Sequence, residues 1–98
     1  MRIISKKILI TFWTKHPDAE QGLKAWYEEA INANWVTPQS IKDRYKSASF
    51  LGKNRVVFNI CGNKYRLIVA IAYKFGAIYV KFIGTHKEYD KVNAESIG

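Results

Sequence analysis

Val56-Val57-Phe58-Asn59-Ile60, then Tyr65 to Tyr73, then Ala77 to Thr85: these three runs, with the turn residues between them, decide the fold. Each is rich in β-branched and aromatic residues and bounded by turn signals, the signature of a strand. Gly62-Asn63 reads as a two-residue turn, with Gly62 supplying the positive φ that a type II′ turn needs. That turn pairs Asn59 with Arg66 and Val57 with Ile68. A second two-residue turn at Phe75-Gly76 pairs Ala70 with Lys81 and Arg66 with Thr85. A longer loop there would slip the register by one and send Lys81 to the opposite face. The shorter turn collects Val56, Phe58, Ile60, Leu67, Val69, Ile71, Ile78, Val80 and Phe82 on one face. The other face then holds Arg55, Asn59, Arg66, Tyr79, Lys81 and Thr85, with the small Ala70 and Ala72 between them. One face is core for helices; the other is open and positive.

The elements on either side fit that sheet. Downstream, Thr85-His86-Lys87-Glu88 is a T-x-x-E capping box, so a helical turn begins at Thr85. His86, Tyr89, Asp90 and Asn93 fall on one side of it. Upstream, Met1 to Ile4 reads as an edge strand, and Ser5 as the cap of a helix from Lys6 to Lys15. That helix is apolar at Ile8, Leu9, Phe12 and Trp13. Pro17 breaks it, and a second helix starts at Asp18 with Gln21 as its capping-box partner. Ala19, Leu23, Trp26, Tyr27, Ala30 and Ile31 form its apolar stripe. Thr37-Pro38 opens a short third helix to about Tyr45, with Val36 and Ile41 spaced for a hydrophobic staple. Ser47 to Asn54 reads as a loop ending in the basic run Lys53-Asn54-Arg55. The class is α+β: N-terminal helices on one face of a small antiparallel sheet, with a short C-terminal helix.

A chain of 98 residues is expected to form one domain over 1–98, with one core. Sixteen Lys and Arg against eight Asp and Glu give a net charge of +8, which favours a polyanionic partner. The excess is uneven: residues 1–16 carry +4, 17–40 carry −3, 41–66 carry +6 and 67–98 carry +1. The single Cys61 excludes an internal disulfide and fits a reducing cytoplasm. Ile8 to Trp13 is too short for a membrane span, and no convincing signal peptide is present. There is no P-loop, no dinucleotide-type glycine pattern and no Cys/His cluster at zinc spacing, so no cofactor or metal is expected.

Each candidate functional residue has an ordinary reading beside the chemical one. Arg66 and Lys81, in otherwise apolar strands, could be exposed-face cations; two on one face point to an anion site. His86 alone is most often a surface histidine, and Tyr89 a packing residue. Asp90 either orients His86 or favours the first helical turn. The Lys42, Arg44 and Lys46 cluster reads as a solvated face, and the three tryptophans as core.

At Phe58-Asn59-Ile60-Cys61-Gly62-Asn63-Lys64-Tyr65-Arg66-Leu67-Ile68 and Gly84-Thr85-His86-Lys87-Glu88-Tyr89-Asp90, the sequence resembles the HigB-type toxins of bacterial type II toxin–antitoxin modules. The likeness extends through His16-Pro17-Asp18-Ala19-Glu20 and Ala48-Ser49-Phe50-Leu51. It implies a RelE-like fold and an mRNA interferase, an endoribonuclease commonly acting on the translating ribosome. It also implies a HigA-type helix-turn-helix antitoxin, with operator DNA bound only through the pair. Arg66, Lys81, His86 and Tyr89 occupy places comparable to the catalytic residues of related toxins, with Lys53, Arg55, Asn59 and Lys64 as further RNA contacts. The expected reaction is metal-free attack of the RNA 2′-hydroxyl on the adjacent phosphate. It needs a base, cations on the non-bridging oxygens and an acid for the leaving 5′-oxygen. Two alternatives stay open: a non-catalytic RNA- or ribosome-binding inhibitor, and a gyrase poison on the same fold.

Overall fold

The computed structural model describes residues 1–98. Five strands, β1 (Arg2–Ile4), β2 (Ser49–Leu51), β3 (Arg55–Ile60), β4 (Tyr65–Ala72) and β5 (Ala77–Thr85), form one sheet in the order β1-β5-β4-β3-β2. The helices are α1 (Lys6–Lys15), α2 (Glu20–Ile31), α3 (Pro38–Arg44) and the short α4 (His86–Tyr89). β1 runs parallel to β5, with Ile3 opposite Ile78, so the sheet is mixed and not purely antiparallel as expected. β2 lies within the stretch read as a loop. It pairs Phe50 with Val56 at the other edge, and its three residues are too few to show a period.

The first hairpin has the expected register, with Asn59 opposite Arg66 and Val57 opposite Ile68. Gly62 takes a φ of 68°, and Cys61 before it is also left-handed at 55°. The second hairpin differs. Its connection is longer than two residues: Tyr73–Phe75 makes a 3-10 turn ending in Gly76 at a φ of 62°, so Ala72 pairs with Ala77 and Ala70 with Tyr79. Further along, a β-bulge between Ile68 and Val69 opposes Val80 and Phe82 to consecutive residues of β4 and leaves Lys81 unpaired.

The two departures combine to a shift of one residue beyond the bulge. Ile83, opposite Leu67, enters the core in place of Phe82; Thr85 moves to the helix side opposite Tyr65; Phe82 joins Ile68 and Val57 on the other face. Lys81 keeps its predicted face, where its ammonium lies 5.7 Å from the Tyr79 ring.

The core lies between the helices and one face of the sheet. Leu9, Leu23, Trp26, Ala30 and Ile41 meet Val56, Phe58, Leu67, Val69, Ile71 and Ile78. Phe58 sits at its aromatic centre, with ring centroids of Tyr45, Trp26 and Trp35 at 5.0, 5.5 and 6.1 Å. Such contacts add about 0.5–1.5 kcal/mol per pair beyond the area buried.

Local capping departs from expectation at three places. Ser5 adopts a left-handed φ of 77° and makes no side-chain cap. Pro17–Ala19 forms a 3-10 turn ahead of α2, and Asp18 does not cap the helix. Its carboxylate instead accepts from Tyr65 Oη at 2.5 Å and pairs with Lys64. Val36 is exposed while Ile41 is buried, so no staple forms. Thr37 does cap α3, accepting from the Ser40 amide, with Pro38 at the first helical position. No helix is long and apolar enough to cross a membrane.

Candidate active site

The face of the sheet away from the main helices is divided. Over one part, the C-terminal residues cross the strands. Arg55 is 8% exposed, and its Nη1 donates to the carbonyls of Ala94, at 3.2 Å, and Ile97. Gly98 seats against Lys81, where a Cβ would lie 2.7 Å from Lys81 Cδ. Val57 and Ile68 are buried on this side although they lie outside the main core. Arg55 is therefore not the exposed RNA contact expected. A guanidinium taken from water needs acceptors; two tail carbonyls supply them at Nη1, while Nε is buried without a partner.

The other part of the face, at the end of the sheet near the first hairpin turn, carries the candidate chemistry. Arg66 stands between Asn59 on β3 and Gly84 on β5. Its Nη1 donates to Asn63 O at 2.9 Å, which anchors the guanidinium to the hairpin turn. The Tyr89 ring of α4 lies 6.0 Å from its Cζ. α4 is fixed by the predicted capping box: Thr85 Oγ1 accepts from the Glu88 amide at 3.2 Å, and Glu88 Oε1 accepts from the Thr85 amide at 2.8 Å. One turn on, His86 Nδ1 lies 3.3 Å from Asp90 Oδ2. With Nδ1 on the carboxylate, the solvent-exposed imidazole has Nε2 free for proton transfer.

The expected residues thus divide. Arg66, Asn59 and Tyr89 are brought together, and the His86–Asp90 pair is carried on the same helix as Tyr89. Lys81 is not beside Arg66: it is displaced by three residues, about 10 Å along the strand, from the glycine opposite Arg66. Lys53 is exposed in the turn between β2 and β3, at the far end of β3 from Asn59. Lys64 is held by Asp18, not free for a ligand. That pair, with Tyr65 Oη as a second donor, lowers the Asp18 pKa and raises those of Lys64 and Tyr65.

Phe82 and Gly84 also lie on this part of the face, and the sequence does not mark Phe82 as anything but a core residue. Gly84, inside an otherwise apolar strand, is the one signal that could have drawn attention there, because a strand glycine marks a bulge or a close approach. The largest surface cavity, about 730 Å³, lies elsewhere, lined by Glu28, Glu29, Asn32, Trp35 and Arg44 among others. No group of three or more His, Cys, Asp or Glu side chains is arranged to hold a metal ion.

A family model described as HigB_toxin, RelE-like toxic component of a toxin-antitoxin system, matches residues 19–92. The chain belongs to the HigB toxin family. Among relatives, it is 29% identical over 93 residues to the mRNA interferase toxin HigB of Escherichia coli, covering 92% of this chain and 88% of that protein. The same figures hold for the mRNA interferase HigB of Shigella flexneri. The matched region takes in α2, the whole antiparallel part of the sheet and α4. Arg66, Gly84, His86 and Tyr89 all lie within the part of the chain that carries the HigB likeness.

Proposed function

We propose that residues 1–98 act as a single toxin domain that cleaves messenger RNA. The observation that carries this reading is the meeting of Arg66, Asn59 and Tyr89 at the sheet end where α4 presents His86 on Asp90. Arg66 binds the scissile phosphate. Its Nη1 is engaged by the turn, leaving Nε and Nη2 as a planar edge for two non-bridging oxygens. The 2′-hydroxyl attacks the phosphorus and the bond to the 5′-oxygen breaks, giving a 2′,3′-cyclic phosphate and a 5′-hydroxyl.

The 2′-hydroxyl loses one proton and the leaving 5′-oxygen gains one; His86, oriented by Asp90, carries out one of these transfers and solvent water the other. Tyr89 lies over the guanidinium and shields it from water on that side, which strengthens its hold on the phosphate. Lys81, too far along the strand for the same phosphate, binds a neighbouring one. Lys53 and Asn59 add contacts to the RNA backbone. The natural setting is messenger RNA on the ribosome. A HigA-type helix-turn-helix antitoxin neutralises the toxin and brings the pair to operator DNA.

The test is primer extension on messages taken shortly after induction. Wild type should produce discrete new 5′ ends that His86→Ala abolishes. Growth arrest with intact messages would instead indicate a toxin that acts by occupancy, and DNA damage a gyrase poison. Either result overturns the cleavage reading.

A further inference from the structure

The β-bulge in β5 has a chemical consequence. In a regular strand Phe82 would point with Val80 into the core. The extra residue, Lys81, reverses that alternation, so Val80 and Ile83 are core and Phe82 lies on the face that carries Arg66. Phe82 is only half-buried and has no aromatic partner in the structure. Its ring extends along the strand over Gly84, where a Cβ would stand 2.5 Å from Phe82 Cζ, 2.9 Å from Cε2 and 3.0 Å from Glu88 Oε1, the oxygen that accepts from the Thr85 amide in the capping box. Gly84 is the residue directly opposite Arg66. The missing side chain at 84 is therefore what allows the ring to lie over the strand at the position opposite Arg66. Bulges that re-aim side chains next to a site are a known use of the device.

An aromatic ring lying on a sheet next to a phosphate-binding cation has a specific use. Single-stranded RNA is held by base stacking on such rings, with cations between them taking the phosphates. We infer that Phe82 is the stacking platform for a base flanking the phosphate held by Arg66, and that Gly84 is small in order to seat it. Lys81, next along the strand, then meets the following phosphate. This rests on the RNA-cleaving reading above, and deepens it by placing one nucleotide. A base is recognised here by its flat face, so any of the four can be accepted, with purines favoured for their larger overlap.

The experiment uses the full chain and short single-stranded RNAs carrying 2-aminopurine at successive positions, with 2′-deoxy substitution at the cleaved linkage. Binding of wild type should quench 2-aminopurine at one position, and nuclear Overhauser effects should link that base to the Phe82 ring. Phe82→Leu keeps apolar bulk and loses the π-face. It should abolish the quench and weaken binding by roughly 5- to 150-fold. Phe82→Tyr should restore both. Equal quenching and affinity in Phe82→Leu would overturn the inference, and so would a wild-type complex with no contact between base and ring. That wild-type measurement decides even if Phe82→Leu does not fold. Stacking in a wild type that leaves messages intact in a translating extract would overturn the nuclease reading and leave the platform standing. Cleavage without stacking does the reverse.

Discussion

Replacing Arg66 by alanine is the sharpest challenge to the proposed chemistry, because the structure gives the side chain one job inside the fold and leaves the rest of it free. Within the protein its Nη1 donates to Asn63 O at 2.9 Å and to Tyr65 O at 3.4 Å. Losing one good bond and one long one at a half-exposed site costs about 1–2 kcal/mol of stability, so the variant should stay folded. The remaining Nε and Nη2 edge is what the phosphate would take. A donor aimed at charge that grows in the transition state is worth about 100- to 1000-fold in rate, and Arg66→Ala should lose that much. Arg66→Lys keeps the charge but not the planar fork, and should fall between the two. The assay is single-turnover cleavage of a defined message in a translating extract, alongside circular dichroism melts of each variant. If Arg66→Ala melts near wild type and cleaves within a few-fold of it, the phosphate contact proposed for this residue is wrong.

Three further outcomes are expected. His86→Ala removes an exposed side chain and should leave the melting temperature unchanged. It should slow cleavage by about 100- to 10,000-fold, the usual worth of a positioned acid or base; single-turnover kinetics would show this. Arg55→Ala should free the C-terminal residues and destabilise the fold by about 1.5–3 kcal/mol, the range for charge-assisted hydrogen bonds. Hydrogen exchange at residues 94–97 should speed up, whereas an RNA-contact role would change only the affinity. Asp18→Asn should remove a pH-dependent part of stability. Asp18 is lowered by Lys64 and Tyr65, so its contribution is present above the ordinary carboxylate pKa and lost as pH falls through the depressed one. Lys64 and Tyr65 are raised by Asp18, so theirs is complete below their ordinary values and lost as pH rises through the raised ones. Melting temperature against pH should therefore be flatter at both extremes in Asp18→Asn than in wild type.

The first hairpin was legible in the sequence because its turn chemistry is local. Gly62 takes positive φ, and the pairing of Asn59 with Arg66 follows by counting outward. The capping box at Thr85 and Glu88 was legible for the same reason, since both partners lie within one helical turn. The second hairpin was not. Phe75-Gly76 looks like a two-residue turn, but Tyr73–Phe75 winds into a 3-10 turn and Gly76 serves as its left-handed end. The bulge at Lys81 leaves no mark in an alternating pattern, because a run of Tyr79-Val80-Lys81-Phe82-Ile83 is apolar at most positions in either phase. Phe82 was therefore placed in the core on periodicity alone. Arg55 failed differently: its partners are carbonyls some forty residues away in sequence, and no local pattern reports them.

The charge of residues 41–66 shows how far a composition argument reaches. That segment holds seven basic residues, and they pointed to a polyanion. Five are engaged by the protein itself: Lys42 by the carbonyls of Lys46 and Ala48, Arg44 by Glu29, Arg55 by the C-terminal residues, Lys64 by Asp18, and Arg66, through Nη1 alone, by carbonyls of its own hairpin. Lys42 and Arg55 keep their positive charge on neutral acceptors and still contribute to the long-range field that steers a polyanion. Arg44 and Lys64 are cancelled locally by carboxylates, so little of their field survives beyond a Debye length of about 8–10 Å. What distinguishes Arg66 is therefore not its charge. Its neighbours are an amide side chain, an aromatic ring and a glycine that admits a second ring; the nearby Glu88 carboxylate is committed to the Thr85 amide and makes no ion pair with it. Net charge favours a polyanionic partner; an unpaired guanidinium with a free planar edge is what supports the phosphate contact proposed at Arg66.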